Sequence, residues 1–416
     1  MRDQLSETFR AEHGRVLARL VTLLGDLDVA EEALADAYAT AMQRWPVEGV
    51  PANPAAWLIT VARNRGVDRI RRETALARKL TLTRRDTSSC RQVVADGGDG
   101  DPFDDQLRLF FTCCHPALSV AVQVALTLRC LAGLSTPEIA RLLLVSDTTV
   151  AQRIVRAKRK IRDAAIPFRV LRPSELPERL PPVLTVLYLL FTEGYVATSG
   201  PRHTRDDLSA EAIRLTRQLH RLLPDDAEAT GLLALQLLTE ARRPARLDEQ
   251  GRLVVLEDQD RTRWDRELIH EGQQLLTAAL AGAPAGPFAV QGAIAALHAG
   301  APTARHTDWR QIAALYRVLG RLAPSPMVQL NHAIAVAMAD GPDTGLRLLD
   351  RLRSVDALAR THLLPAARAD LLRRLGRVED AITAYDQALE RVGNDIERDY
   401  LTRRRRQLLT DGAPTP

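Results

Sequence analysis

The chain is 416 residues long, too many for one ordinary core and enough for two to four domains. Apolar residues make up 46% of it but aromatic ones only 4%, a balance that fits a mainly helical protein and leaves strand signals scarce. The formal charge of +5 is modest, and neither a bilayer-length apolar run nor an apolar signal core in Met1-Arg2-Asp3-Gln4-Leu5-Ser6-Glu7 is present, which argues against membrane-spanning and exported proteins and for a cytoplasmic one.

In chain order, residues from about Gln4 to Arg72 read as one helical unit. Leu34, Tyr38, Ala41 and Trp45 recur as a buried stripe, with Glu32, Asp36 and Gln43 opposite. Pro46, Gly49, Pro51 and Pro54 then break the chain into a short loop. A second long helix follows from about Ala55 to Glu73, with Trp57, Asn64, Asp68 and Arg71 on one side and Arg63, Arg65, Arg69 and Arg72 around them. Positive charge is dense from Arg63 to Arg91 and again from Arg153 to Arg162, whereas Asp96, Asp99, Asp101, Asp104 and Asp105 form an acidic run between. Such segregation steers polyanions more than the net charge does. The polar stretch from about Thr87 to Pro102, with Gly97, Gly98 and Gly100, reads as a linker.

The segment from Leu134 to Arg153 is the most informative. It reads as two short helices joined by a tight turn, running into Arg156, Lys158, Arg159, Lys160 and Arg162. Ser135 and Glu138 form a capping box for the first helix, which buries Ile139, Leu142 and Leu143. Ser146 is a natural N-cap for the second, where Val150, Ile154, Ala157 and Ile161 recur at helical spacing. Thr148, Gln152, Arg156 and Arg159 then face outward. Gln and Arg bond base edges and Lys and Arg hold phosphates, so this helix suits the major groove; an amphipathic hairpin with a solvated basic face is the bland alternative.

Pro167, Pro173, Pro177, Pro181 and Pro182 are expected to punctuate a hinge into a large helical remainder. There, Gly376, Ala381, Tyr385 and Ala388 match much of a tetratricopeptide pattern, with weaker echoes at Gly345, Leu349 and Leu352 and at Ala212, Leu219 and Pro224. Asp258-Gln259-Asp260-Arg261-Thr262-Arg263-Trp264-Asp265 packs charges around one Trp and reads as a buried ion-pair network, or a ligand or domain contact. Cys90, Cys113, Cys114 and Cys130 read as buried reduced thiols, with a metal or redox role for Cys113-Cys114-His115 as the alternative, and His270, His298, His306 and His332 lack metal-ligand spacing. No phosphate loop, paired metal-ligand helix or nucleophile elbow appears, so no catalytic residue, metal or cofactor is expected.

Three stretches resemble a bacterial RNA polymerase sigma factor of the extracytoplasmic-function class: Asp28 to Tyr38, Pro54 to Arg72, and the helix-turn-helix ending at Arg153 to Lys158. The resemblance covers roughly the first 165 residues and implies an all-α chain of two small sigma domains. Sigma domain two then spans 1–86, the linker 87–102, sigma domain four 103–166, the hinge 167–182, and a helical extension 183–416. The extension resembles that of a subgroup with tetratricopeptide-like repeats.

The resemblance assigns Glu31, Glu32 and Asp36 to docking on core RNA polymerase, with a solvated helix face as the plain alternative. The loop from Pro46 to Pro54 corresponds to the one that captures a flipped base of the minus-ten promoter element, which needs a favourable place outside the stack. Asn53 would bond that base, and Trp57, Arg63, Asn64, Asp68, Arg71 and Arg72 would line the adjacent strand. Trp57 reads equally well as a core anchor. The acidic run would pass through the channel later used by RNA. On the helix from Asp147 to Ile161, Thr148, Thr149, Gln152 and Arg153 would read the minus-thirty-five element, while Arg156, Lys158 and Arg159 would hold phosphates.

The expected partners are therefore core RNA polymerase, promoter DNA and a protein or peptide received by the extension, which would gate the factor in cis; no membrane is involved. Two competing readings are a helix-turn-helix regulator with a helical sensor domain, and a tetratricopeptide scaffold merely solubilised by its charges.

Overall fold

The computed structural model describes residues 2–81, 105–164, 166, 173–282 and 284–411. Among these residues the chain is all-α, as the patterning predicts; its β pairing is two isolated bridges, Gly200 with Asn394 and Leu247 with Leu253. The acidic run from Asp96 to Asp104, and Cys90, lie outside the described residues. The chain divides into two compact units, Met1–Ile139 with Asp147–Val186, and Ala140–Ser146 with Leu187–Pro416.

In the first unit, α1 (Arg2–Leu24), α2 (Leu27–Glu48) and α3 (Pro54–Thr81) pack pairwise. Asp26 caps α2 through the Val29 amide at 3.1 Å, and Leu34, Ala37, Ala41 and Trp45 carry its buried face. The helix runs past Pro46, so the expected break at that proline is corrected: the loop begins only at Gly49. Pro46 deprives the Met42 carbonyl of an amide partner, but Met42 is exposed, and water can serve that carbonyl at little cost.

The unit continues through α4 (Asp105–Cys113), α5 (Val120–Cys130), the start of α6 (Thr136–Leu142) and α7 (Asp147–Asp163). The capping box forms as expected. Glu138 Oε2 accepts from the Ser135 amide at 2.7 Å and the Glu138 amide donates to Ser135 Oγ at 3.4 Å. α6 ends with the Leu144 amide bonded to the Arg141 carbonyl and the Val145 amide to the Ala140 carbonyl. That pairing needs a left-handed residue, here Leu144 at φ +54°, where glycine would be less strained. Cys113, Cys114 and Cys130 are buried free thiols, and burial pushes Cys114 up to about 12.

The unit closes with the first turns of α8 (Leu176–Tyr195). Of the prolines expected to form a hinge, Pro173 falls in a 3-10 turn and Pro177, Pro181 and Pro182 lie in the first turns of this helix, while Pro167 lies outside the described residues. The carbonyls that Pro181 and Pro182 leave without amides belong to Pro177 and Glu178, both exposed. Arg179 is buried and donates to the Phe111 carbonyl at 3.2 Å, serving the C-terminal end of α4.

The second unit holds the rest of α8, then α9 (Asp206–Leu222), α10 (Ala227–Glu240), α11 (Arg266–Ala281), α12 (Pro287–Gly300), α13 (Trp309–Leu322) and α14 (Pro326–Asp340). These are followed by α15 (Pro342–Arg351), α16 (Asp356–Ala359), α17 (Leu363–Arg374), α18 (Val378–Leu389) and α19 (Asp395–Asp411). Successive helices pack as neighbours: α9 on α10, α10 on α11, α12 on α13, α13 on α14, α14 on α15, α17 on α18 and α18 on α19. Gly376 makes the α17–α18 turn at φ +72°, and Ala381, Tyr385 and Ala388 face the core.

The Asp258–Asp265 segment is not the ion-pair network expected. Asp260 caps a 3-10 turn through the Thr262 amide, and Asp265 caps α11 through the Glu267 and Leu268 amides. The buried Arg261 lies over the Trp264 ring and donates to the His298 and Ala301 carbonyls at 2.7 and 2.6 Å, at the end of α12. A guanidinium on open carbonyls replaces the carboxylate partner, because helix C-termini carry partial negative charge.

Close helix contact depends on small residues. A Cβ on Gly231 of α10 would sit 2.7 Å from the Ala289 amide nitrogen of α12, a backbone atom that cannot swing aside. Gly231→Val is expected to destabilise the second unit by about 1–3 kcal/mol, read as a lower urea midpoint. An unchanged midpoint would contradict this packing.

Candidate nucleic-acid and polymerase interfaces

The first candidate interface lies on α3 and the loop before it. Asn53 precedes α3, and its Oδ1 accepts from the Ala56 amide at 3.0 Å, so this side chain is held as a helix cap beside the loop. Trp57 is half-buried, its ring meeting that of the buried Trp45 edge-on at 5.3 Å. Trp57 thus has a contact with the buried Trp45 and keeps part of its surface in solvent. Arg63, Asn64, Asp68, Arg71 and Arg72 are all exposed along α3, with Asn64, Asp68 and Arg71 on one side and Arg63 and Arg72 flanking it. Sequence reading passed over Met42, Val47 and Val50, which are exposed near the loop, Val47 by 87%. Their signal was present as apolar residues off the buried stripe of α2, at Met42 and Val47, and in the loop after it, at Val50.

The second candidate interface is on α7. Val150, Ala157 and Ile161 are buried and Ile154 is half-buried, so the expected stripe is the observed one. Thr148, Gln152, Arg156 and Arg159 are exposed, and Thr149, Arg153 and Lys158 are partly so. Arg159 pairs only loosely with Asp163, at 3.3 Å with both side chains mostly in solvent. The helix begins at Asp147, so Thr148 and Thr149 stand at its N-terminal end and the arginines behind them.

The three acidic residues assigned to docking do not share one environment. Asp36 is exposed, and Glu32 is exposed but pairs with Arg69 of α3. Glu31 turns inward instead. Its carboxylate accepts from Lys158 Nζ of α7 and from Cys130 Sγ of α5, the latter at 3.4 Å. Burial works against the Lys158 charge, but the Glu31 bond and the charges of Glu31 and Asp28 overcome it and raise the lysine above its ordinary value. Asp28 lies 3.7 Å from Lys158 and 3.6 Å from Arg162. Among the described residues no cluster of His, Cys, Asp and Glu is arranged to hold a metal ion, and no helix is long and apolar enough to cross a membrane.

These two basic helical surfaces coincide with two known families. Residues 8–75 match Sigma-70 region 2, and residues 111–161 match Sigma-70, region 4. Residues 179–280 match a family of unknown function, DUF6596. The chain belongs to the ECF-like sigma factors with a C-terminal extension, and it directs promoter-specific transcription with core RNA polymerase and promoter DNA as partners. It is similar to an uncharacterized protein of Rhizobium meliloti (strain 1021), 43% identical over 391 residues that cover 93% of this chain and 92% of the relative. No solved structure matches the chain.

Proposed function

We propose that the chain is an extracytoplasmic-function sigma factor whose tetratricopeptide-like extension gates it in cis. The observation that carries the division of labour is the pair of exposed basic faces on α3 and α7, one within each matched sigma region. Sigma domain two (1–86) docks on polymerase through Glu31, Glu32 and Asp36. It opens the minus-ten element with Asn53, Trp57, Arg63, Asn64, Asp68, Arg71 and Arg72. Sigma domain four (103–166) reads the minus-thirty-five element through Thr148, Thr149, Gln152 and Arg153, held on phosphates by Arg156, Lys158 and Arg159. The chain works in the cytoplasm by placing polymerase, without chemistry of its own.

Gating by the extension is supported by the grouping of Ala140–Ser146, the turn of the helix-turn-helix, with the second unit. Within that unit Arg141 Nη1 donates to Ser199 Oγ at 2.9 Å. Stacked helix pairs also present grooves that suit a peptide or helical partner.

Reconstitution with core polymerase and a promoter-fragment library tests both parts. Defined start sites are expected, and their absence overturns the assignment of roles. A chain ending after Tyr195 keeps α8 and its Arg179 contact. It is expected to raise promoter-specific transcription several-fold, and output equal to or below that of the full chain counts against inhibition in cis.

A further inference from the structure

The charged stretch that begins at Asp258 borders a cavity inside the second unit. Just before it, Asp248 folds the chain into a hairpin: its Oδ1 accepts from the Gln250 and Arg252 amides at 3.0 and 2.8 Å, and Gly251 turns at φ +74°. Beyond the Leu247–Leu253 bridge, a second turn bonds the Asp258 amide to the Val255 carbonyl at 2.9 Å. Glu257 is fastened in place, because Arg374 Nη2 of α17 donates to both its carboxylate oxygens at 3.1 Å. The next residue, Asp258, lines the cavity and forms no ion pair among the described residues.

The other wall is one side of α19. Tyr400, Arg403, Arg404 and Gln407 recur there at helical spacing, while Leu401 and Leu408 of the same helix pack into the core. Arg404 bonds neutral groups, Tyr400 Oη at 3.1 Å and Gln407 Oε1 at 3.5 Å. Arg403 stands 3.2 Å from Asp399 in a partly solvated pair, and its buried Nε and Nη2 make no hydrogen bond. Arg405, by contrast, meets Asp386 of α18 at 2.6 Å. A guanidinium carries five donors, so Arg403 and Arg404 keep donors to spare beside the cavity.

The cavity has a volume of about 210 Å³, and Leu253, Val254 and Val255 complete its lining. A cavity of about 150 Å³ holds benzene, so this one takes roughly eight or nine non-hydrogen atoms. We propose that it binds a free α-amino acid with a short branched aliphatic side chain. The carboxylate sits on Arg403 and Arg404, the ammonium on Asp258, and the side chain against the aliphatic lining. A plain anion would set its charge beside Asp258, and a plain cation would meet two guanidinium groups. A zwitterion of this size satisfies both walls, and its planar carboxylate suits the forked donors of arginine. Occupancy would tie the hairpin to α19 and make the second unit a sensor of a small molecule. The site stands whether or not the extension inhibits in cis.

Isothermal titration of the full-length chain with L-leucine is expected to show one saturable site, with a Kd on the order of 10–300 μM. Isocaproate lacks the ammonium of leucine and isoamylamine lacks its carboxylate. Both are expected to bind about tenfold more weakly or worse, as is leucine itself to Asp258→Asn and to Arg404→Gln. Asp258 is exposed, so its variant carries the test should Arg404→Gln fail to fold. Hydrogen exchange is expected to show leucine protecting peptides from Leu253–Gln259 and from α19, and leaving α7 unchanged. Absence of saturable binding by leucine and by valine up to about 10 mM overturns the site. Protection confined to other helices overturns it too, since the ligand then lies elsewhere. Equal affinity for isocaproate, with Asp258→Asn without effect, overturns the amino-acid class in favour of a plain anion.

Discussion

Replacing Arg156 and Arg159 together with alanine is expected to weaken binding to upstream promoter DNA about ten- to a hundredfold at physiological salt, and to do so equally for every sequence. Both side chains are exposed three residues apart on α7, and the 3.3 Å pair between Arg159 and Asp163 is too solvated to hold the guanidinium back. Each arginine that neutralises a phosphate releases condensed counterions, so losing two should reduce the salt slope by about 1.8. Gln152→Ala should behave differently. A side chain that reads a base edge changes sequence preference by about 1–3 kcal/mol at one position and leaves the salt slope alone. Titration of holoenzyme on matched and mismatched fragments at several salt concentrations separates the two effects. An unchanged slope in the double variant would remove α7 from the phosphate backbone.

The features legible before any coordinates were local ones. The Ser135–Glu138 box, the Trp45 stripe and the Val150–Ile161 stripe each depend on residues within a few turns of one another, and each appears where periodicity places it. Features set by distant partners were not legible. Glu31 belongs to the same acidic cluster as Glu32 and Asp36, and only the approach of Lys158 and Cys130, from residues over ninety positions away, separates it from them. Asp28 and Arg162 were passed over as site residues for the same reason. Prolines misled because their cost depends on whether water can reach the orphaned carbonyl; at Pro46, Pro181 and Pro182 that carbonyl belongs to an exposed residue. The charges around Trp264 were read as ion pairs, whereas helix ends supplied the partners, and no charge pattern reveals which carbonyls will be near.

The second unit should lose stability steeply as pH falls from about 6.5 to about 4, because two histidines are held neutral within it. Burial first, and then the charge of Arg246, lowers His203 from 6.5 to about 4. Burial and the charges of Arg242 and Arg261 lower His298 to about 3. The unfolded chain therefore takes up these protons first, and each histidine stabilises the fold fully above its unfolded value and progressively less below it. At about 1.4 kcal/mol per pH unit, the loss is on the order of 3 kcal/mol for each residue once acidification is complete. His203 also has a geometric reason to stay neutral: Arg246 Nη2 donates to its Nε2 at 2.6 Å, and a protonated ring would turn that bond into two facing donors. Arg246 cannot retreat easily, since it stacks on Tyr195 at 3.9 Å and also donates to the Tyr195 carbonyl. His203→Gln keeps an acceptor for Arg246 without a titrating group. Hydrogen exchange of peptides from α8 and α9, corrected for intrinsic rates, should show that variant losing much less protection than wild type between pH 6.5 and 4.5. Equal losses in the two chains would mean that His203 does not govern the acid sensitivity of this unit, and that carboxylates elsewhere do.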